Sequence, residues 1–259
     1  MTHNKRGWIP DKPDIRDLKY TGKSMLGLVG SLPTHIDFRD KMPPIQDQGD
    51  LGSCTGWSAA AAVTYNRIID GQTPMFWPSV LYIYYNTRLL EGTLNYDAGA
   101  EIRNAIRATK KYGFCPDTLW PYDQKAFKKK PPLKAYKHAS MYQSSYYYRI
   151  NNAKIDNLRA CLSEGFPFVF GFTCYTNLIE ADTNGGIIPM PGPNDSQDGG
   201  HAVVCCGYDD EKKLFVIHNS WGTEVADKGY YYMPYDYMTN TDLCEDFWTI
   251  RDIKETDNI

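Results

Sequence analysis

Helical patterns come first along this 259-residue chain and strand patterns second, and that order restricts the fold more than any single motif. The first strong element is CTGWSAAAAVTYNRIID, residues 54–70. Alanine, the best helix former, fills its middle. Apolar or small side chains run nearly all round it, so the helix is expected to be buried. SVLYIYYNTRLLEG and GAEIRNAIRATKKYG continue the helical pattern, the second closing on Lys110, Lys111 and Gly113 as helix C-termini do. IDNLRACLSEG is a shorter helix ending at Gly165. Beyond it FPFVFGFTCY, GHAVVCCGYD, KLFVIHNSW, KGYYYMPY and DFWTIRD are short apolar or alternating runs bounded by Gly, Asp and Asn, which read as strands, mostly antiparallel. Helices followed by strands predict an α+β chain of two lobes with a cleft between them.

Bulk properties exclude several classes. The chain is long enough for a sizeable core. A net charge of −3 gives no support to a nucleic-acid partner, and the one basic cluster, KAFKKKPPLK, is short and broken by proline. No stretch is apolar enough to cross a bilayer. The start MTHNKRGWIPDKPD lacks the apolar core of a secretory signal, so the expected location is cytoplasmic, or outside by a non-classical route. Seven cysteines, an odd number with no C-x-x-C pair, argue against a disulfide framework and against a zinc site, so neither metal nor cofactor is expected. Residues 1–32 are polar and rich in Pro, Gly and Asp. GWIPDKPDIRD reads as extended, because each residue before a proline is pushed out of the helical region. Trp8, Ile9 and Leu18 are candidates to pin it to a surface.

Cys54 sits at the joint between the glycine-punctuated turn QDQGDLGS and the alanine-rich helix, with Ser53 as a good N-cap. Unpaired backbone N–H groups and the positive dipole end favour a thiolate there and predict a lowered thiol pKa. A free cysteine is also often plain packing, so partners decide. Of five histidines, His201 follows two glycines and opens an apolar strand, at a rim. Asn219 ends the next strand, and a hairpin would set it beside His201, its amide oxygen holding one ring nitrogen while the other faces the thiol. Gln48, upstream in the same turn, offers a side-chain donor that with the Cys54 N–H would hold a developing oxyanion. His218 alternates to the opposite face and reads as structural or surface; His3, His35 and His138 have no supporting context. Cys205 and Cys206 read as packing, one on each side of a strand, and Asp97 as a helix-start residue.

These blocks resemble the papain-like cysteine proteases. DQGDLGSC resembles the family's glutamine-to-cysteine stretch, GGHAVVCCGYD its histidine strand and VIHNSWGTEVADKGYYYM its asparagine block, in the family's order, with LPTHIDFRD similar to the start of the mature domain and DFWTIRD to its closing strand. The resemblance implies a papain-like two-lobed fold over residues 33–259, a helical left lobe and an antiparallel sheet or barrel on the right. It implies a monomeric cysteine endopeptidase acting on peptides or proteins through a thioester, with Gln48, Cys54, His201 and Asn219 catalytic and Trp221 shielding the His–Asn hydrogen bond. Gly99, Gly200 and Ala202 would line the substrate side, the small residues leaving room for a bulky side chain. Residues 1–32 become a short inhibitory propeptide, or a strap that only stabilises the fold. The chain departs from the family where an aromatic usually follows the nucleophile (Thr55), where a cysteine usually lies three residues before it (Leu51), and in Glu224, Val225 and Ala226 of the asparagine block. A catalytically impaired binding protein, or an acyl-transfer enzyme such as a ligase or deamidase using the same residues, therefore stays open.

Overall fold

Helix α1 (Cys54–Ile69) runs through the middle of the molecule, as its all-round apolar sequence requires. The structure, a computed structural model, describes residues 5–22 and 31–255. Ala59, Ala60, Ala61 and Ala62 are each no more than 2% exposed. On one side α1 meets α2 (Val80–Glu91) and α3 (Ile102–Lys111), and α4 (Leu133–Ala139) completes this helical lobe. Alanines and Gly56 allow close approach: a Cβ on Gly56 would lie 3.3 Å from Val80 and Tyr84 of α2.

The other side of α1 faces a seven-stranded antiparallel sheet. Its order is β3 (Tyr147–Arg149), β8 (Cys244–Ile250), β4 (Phe168–Tyr175), β5 (Gln197–Asp209), β6 (Leu214–His218) and β7 (Tyr230–Pro234), with β1 (His35–Asp37) paired to the far end of β5. A two-stranded ladder joins β2 (Tyr142–Ser144) to β9 (Ile253–Glu255). Helices α5 (Ile155–Ser163) and α6 (Tyr235–Thr239) lie between strands in sequence. Side chains alternate across a strand, so Ala202, Val204 and Cys206 join the α1 core while Val203 and Cys205 join a second core with Phe168, Phe170 and Tyr231. Both faces of β5 are thus covered, which is why AVVCC is an unbroken apolar run. Helices then strands is the order observed, apart from the short β1, which returns from before α1 to the sheet edge, and α5 and α6 among the later strands. The helical lobe and the sheet lobe meet where α1 packs against β5.

Candidate active site

The turn preceding α1 is laced to the segment after β6. Gln48 N–H donates to the Ser220 carbonyl (2.9 Å) and Gly222 N–H to that of Gln46 (3.0 Å). The Ser220 hydroxyl donates to Gln48 Oε1 (2.8 Å), which fixes the amide so that Nε2 points the other way, donating to the carbonyls of Leu51 (3.0 Å) and Lys5 (2.9 Å). Gly49, at φ +57°, makes the reversal. Ser53 does not cap α1 as its sequence suggests: its hydroxyl pairs with Tyr122 OH at 2.6 Å, and Tyr122 also donates to the Gln48 carbonyl. The aromatic of the neighbouring loop outcompetes the backbone for that hydroxyl.

Antiparallel register sets Val204 opposite His218. His201 lies three residues before Val204, and Asn219 just past the end of β6, so their side chains meet. The His201 Nε2 to Asn219 Oδ1 distance is 2.7 Å. Ser220 N–H also donates to that oxygen (2.8 Å), which identifies it as the acceptor and puts the neutral imidazole's proton on Nε2. Nδ1 is buried with no hydrogen-bond partner. The ring stacks on Trp221, centroids 4.4 Å apart, and meets the edge of Phe172. Trp221 thus covers one face of the ring that bonds Asn219. His218, on the opposite face, bonds the Pro43 carbonyl (2.8 Å) and is structural.

Cys54 occupies the first turn of α1 and is fully buried. Its thiol is pushed up to about 11, contrary to the expectation from its helix position. Burial is the largest cause, outweighing hydrogen bonds from the backbone of Ala202, Gly7 and Thr55 and the nearby Arg6 charge. Burial likewise pulls His201 down to about 3. With residues 5–22 in place the pair is a neutral thiol and a neutral imidazole.

That segment is what covers the thiol. Trp8 N–H donates to the Gly200 carbonyl (3.0 Å), Ile9 N–H to that of Ala100 (3.0 Å), and Ala100 N–H to that of Gly7 (2.8 Å), a parallel bridge across the cleft. Gly99 packs on Gly7, and a Cβ at Gly200 would fall 2.7 Å from the Trp8 ring. Trp8 fills a pocket beside Gly171, its indole N–H donating to Asp246 Oδ2 (3.1 Å). Arg6 lies 4.6 Å over the Trp221 ring and pairs with Asp198. Of the three expected anchors only Trp8 is buried; Ile9 and Leu18 are 39% and 57% exposed, and Tyr20 supplies the second buried aromatic. Leu18 contributes backbone instead, accepting from Arg149 N–H.

Asp97 is not the helix-start residue its sequence suggests, since Glu101 precedes α3. The Asp97 carboxylate accepts from Gly52 N–H (3.0 Å) and Tyr84 OH and pairs with Lys5 Nζ (2.7 Å), tying the cysteine turn, α2 and the covering segment together. The sequence reading missed Asp246, where a bulge in β8, φ +58°, turns a carboxylate into the Trp8 pocket. Gln48, Cys54, His201 and Asn219, with Ala202 and Trp221 flanking them, are brought to one place beneath the segment; Gly99 and Gly200 contact it directly. Cys205 and Cys206 are buried packing on opposite faces. His35 and His138 lie in other surroundings, and His3 is outside the described residues. Among the described residues no group of three His, Cys, Asp or Glu could hold a metal, and no helix is long and apolar enough to cross a membrane.

The family model described as papain family cysteine protease matches residues 32–246. An uncharacterized peptidase C1-like protein of Acanthamoeba polyphaga mimivirus is 36% identical, the match covering 96% of this chain and 87% of that protein. Mexicain of Jacaratia mexicana is 28% identical, over 76% of this chain and 86% of its own. The crystal structure of xylellain, a cysteine protease from Xylella fastidiosa, superposes with a TM-score of 0.89 at 44% identity, covering 97% of this chain and 98% of the other.

Proposed function

Because the chain belongs to the papain family of cysteine proteases and is a cysteine-type peptidase, we propose that it is an endopeptidase working through a thioester on Cys54 and held closed by its own N-terminal segment. The carrying observation is that Gln48, Cys54, His201 and Asn219 converge beneath residues 5–9 of the same chain. Once the segment leaves, water relieves the burial that holds the thiol neutral, and the helix N-terminus and backbone donors then favour the thiolate. The Cys54 thiolate attacks the scissile carbonyl. The oxyanion takes hydrogen bonds from Gln48 Nε2 and the Cys54 N–H. His201, carrying the thiol proton, gives it to the leaving amine; the acyl group stays on sulfur. His201 then takes a proton from water, whose oxygen displaces the thiolate and frees the acid. Asn219 keeps the ring oriented throughout.

The geometry also supplies a reason the segment is not cut. The leaving amine must face His201, whose ring stacks on Trp221, and Arg6 lies over Trp221. A substrate's acyl side therefore follows the Trp8 side of the cleft. Substrate runs from the Trp8 side toward Arg6, whereas the segment runs from Arg6 toward Trp8. It fills the cleft in the reverse sense, with the Lys5 carbonyl on Gln48 Nε2. Residues 1–32 are accordingly assigned as a short inhibitory strap preceding the peptidase domain of residues 33–259.

The test is hydrolysis of a protein substrate by the Trp8→Ala chain, whose segment is loosened, and by the same chain carrying Cys54→Ala. Loss of all turnover in a folded Cys54→Ala chain supports the reading; turnover at the parent rate refutes it.

A further inference from the structure

Three acidic side chains meet two arginines where the strap crosses the acyl side of the cleft. Asp11 is wholly buried: Oδ1 accepts from Arg103 N–H in the first turn of α3 (3.1 Å), and Oδ2 from Trp248 Nε1 (2.8 Å). Its Oδ2 lies 3.9 Å from Arg103 and 3.6 Å from Arg149. Farther out, Asp17 Oδ2 is gripped by both guanidiniums, Arg103 at 2.9 Å and Arg149 at 3.4 Å. Asp246, in the sheet, pairs with the other arm of Arg149 at 2.8 Å, and its Oδ2 accepts from Trp8 Nε1 and from Asp11 N–H (2.7 Å). Both guanidiniums lie within 6 Å of the Trp248 ring, which stiffens their placement.

The division of partners is informative. Among the described residues, Arg103 forms ion pairs only with Asp11 and Asp17, both from the strap, and its Nε has no hydrogen-bond partner. Its side chain is 7% exposed even so. When the strap leaves, the peptidase body retains the two arginines with one ion-paired carboxylate, Asp246, and with Glu101 and Glu245 in electrostatic range. The N–H groups of Arg103, Trp248 Nε1 and one arm of Arg149 are left together without acceptors. Two guanidiniums and two N–H donors aimed at one place suit a carboxylate, and the strap fills that place with its own. Gly7 lies at the thiol, and Asp11 is four residues further along. Four residues span at most about 14 Å, so the arginines are within reach of a substrate residue three or four places before the scissile bond. The second place falls in the Trp8 pocket, where Asp246 repels an acid.

We propose that Arg103 and Arg149 form a subsite for an acidic substrate side chain on the acyl side of the cleft, and that Asp17 of the strap, held by both guanidiniums, imitates that side chain while Asp11 packs beneath it. This rests on the reading of residues 5–22 as a strap over a peptidase cleft. The strap and an acidic substrate then compete for one pair of guanidiniums, so acidic peptides both open the cleft and are held in it.

The experiment uses the full chain carrying Cys54→Ala, to prevent turnover, and Trp8→Ala, to loosen the strap. Fluorescein-labelled octapeptides carry one Asp at successive positions, each paired with its Asn isostere, and binding is followed by anisotropy. The expected result is a Kd about tenfold lower for Asp than for Asn at one or two adjacent positions, with the ratio shrinking as salt is raised. Adding Arg149→Gln brings the ratio to about one, while Arg149→Lys retains part of it. Equal affinities for Asp and Asn at every position overturn the proposal, as does a ratio that survives Arg149→Gln. The same peptides are then given to the Trp8→Ala chain with Cys54 intact. Acid-selective binding without any hydrolysis leaves the subsite standing and overturns the peptidase reading; hydrolysis without acid preference does the reverse.

Discussion

Replacing Trp8 by alanine should expose the thiol without unfolding the domain. The indole is 8% exposed, lies against Gly171 and Gly200, and donates to the buried Asp246 carboxylate. Truncating a buried tryptophan costs about 3–5 kcal/mol. A hydrogen bond from a neutral donor to a carboxylate, about 1.5–3 kcal/mol, falls within that range rather than adding to it, because the lost donor and the lost ring share one pocket. Of residues 5–22 only Trp8 and Tyr20 belong to the two cores, so the perturbation acts first on the local opening of the strap. At 1.4 kcal/mol per tenfold, the open fraction rises by about two to three and a half powers of ten. The assay is second-order alkylation of Cys54 by an epoxide affinity reagent, read by intact mass and peptide mapping. Expected is a single adduct on Cys54, with a rate about 10²–10³ times that of the parent chain, flattening where opening ceases to limit. A change of less than twofold, in a variant whose circular dichroism and Tm match the parent, refutes the claim that Trp8 holds the strap shut.

Three further outcomes follow from the same contacts. Burial and the neighbouring Asp246 raise Asp11 from 3.8 to about 7 in the docked strap; a group raised on docking stabilises docking fully below its free pKa and loses that contribution as pH climbs through 7. Strap opening, measured as the Cys54 alkylation rate relative to Trp8→Ala, should therefore increase from pH 5 to 8, and Asp11→Asn should flatten the increase; a ratio that falls with pH contradicts this. Gly171→Ala would set a methyl group into the space of the Trp8 ring, so it should speed Cys54 labelling about as much as Trp8→Ala, and unchanged labelling would show that the pocket yields. Asn219→Ala removes the acceptor for His201 Nε2, and in a Trp8→Ala background kcat/KM should fall by about 10–100-fold, the worth of one hydrogen bond to a group that becomes charged; an unaltered kcat/KM would remove Asn219 from the site.

Local pattern carried the fold a long way and the control of the site only part of the way. The alanine run of α1 and the double-faced apolar run of β5 are local signals of burial, and both elements sit where those signals point. Cys54, His201 and Asn219 each carry a short-range signature, a helix entry, two glycines before an apolar run and a strand end, and chain order does the rest, although β5 begins at Gln197 and His201 lies inside the strand rather than at its start. Asp246 and Arg103 carry none. Trp8 meets Asp246 across 238 residues, and Asp11 meets Arg103 across 92, so no window of sequence holds both partners. The raised thiol pKa has the same origin: helix position is local, whereas the burial that outweighs it is set by residues far along the chain, with Gly7 and Ala202 among those touching the thiol. Ser53 shows the smaller version, a competent cap whose hydroxyl is taken by Tyr122, 69 positions away.

The central claim is that Cys54 carries the acyl group. The most direct measurement is acid quench of the Trp8→Ala chain within its first turnovers of a peptide ester, followed by intact and peptide-resolved mass spectrometry. One acyl mass per chain is expected on the Cys54 peptide, absent from Cys54→Ala. Hydrolysis with no acyl mass on any cysteine, or an acyl mass on Cys174, Cys205 or Cys206 instead, would contradict it.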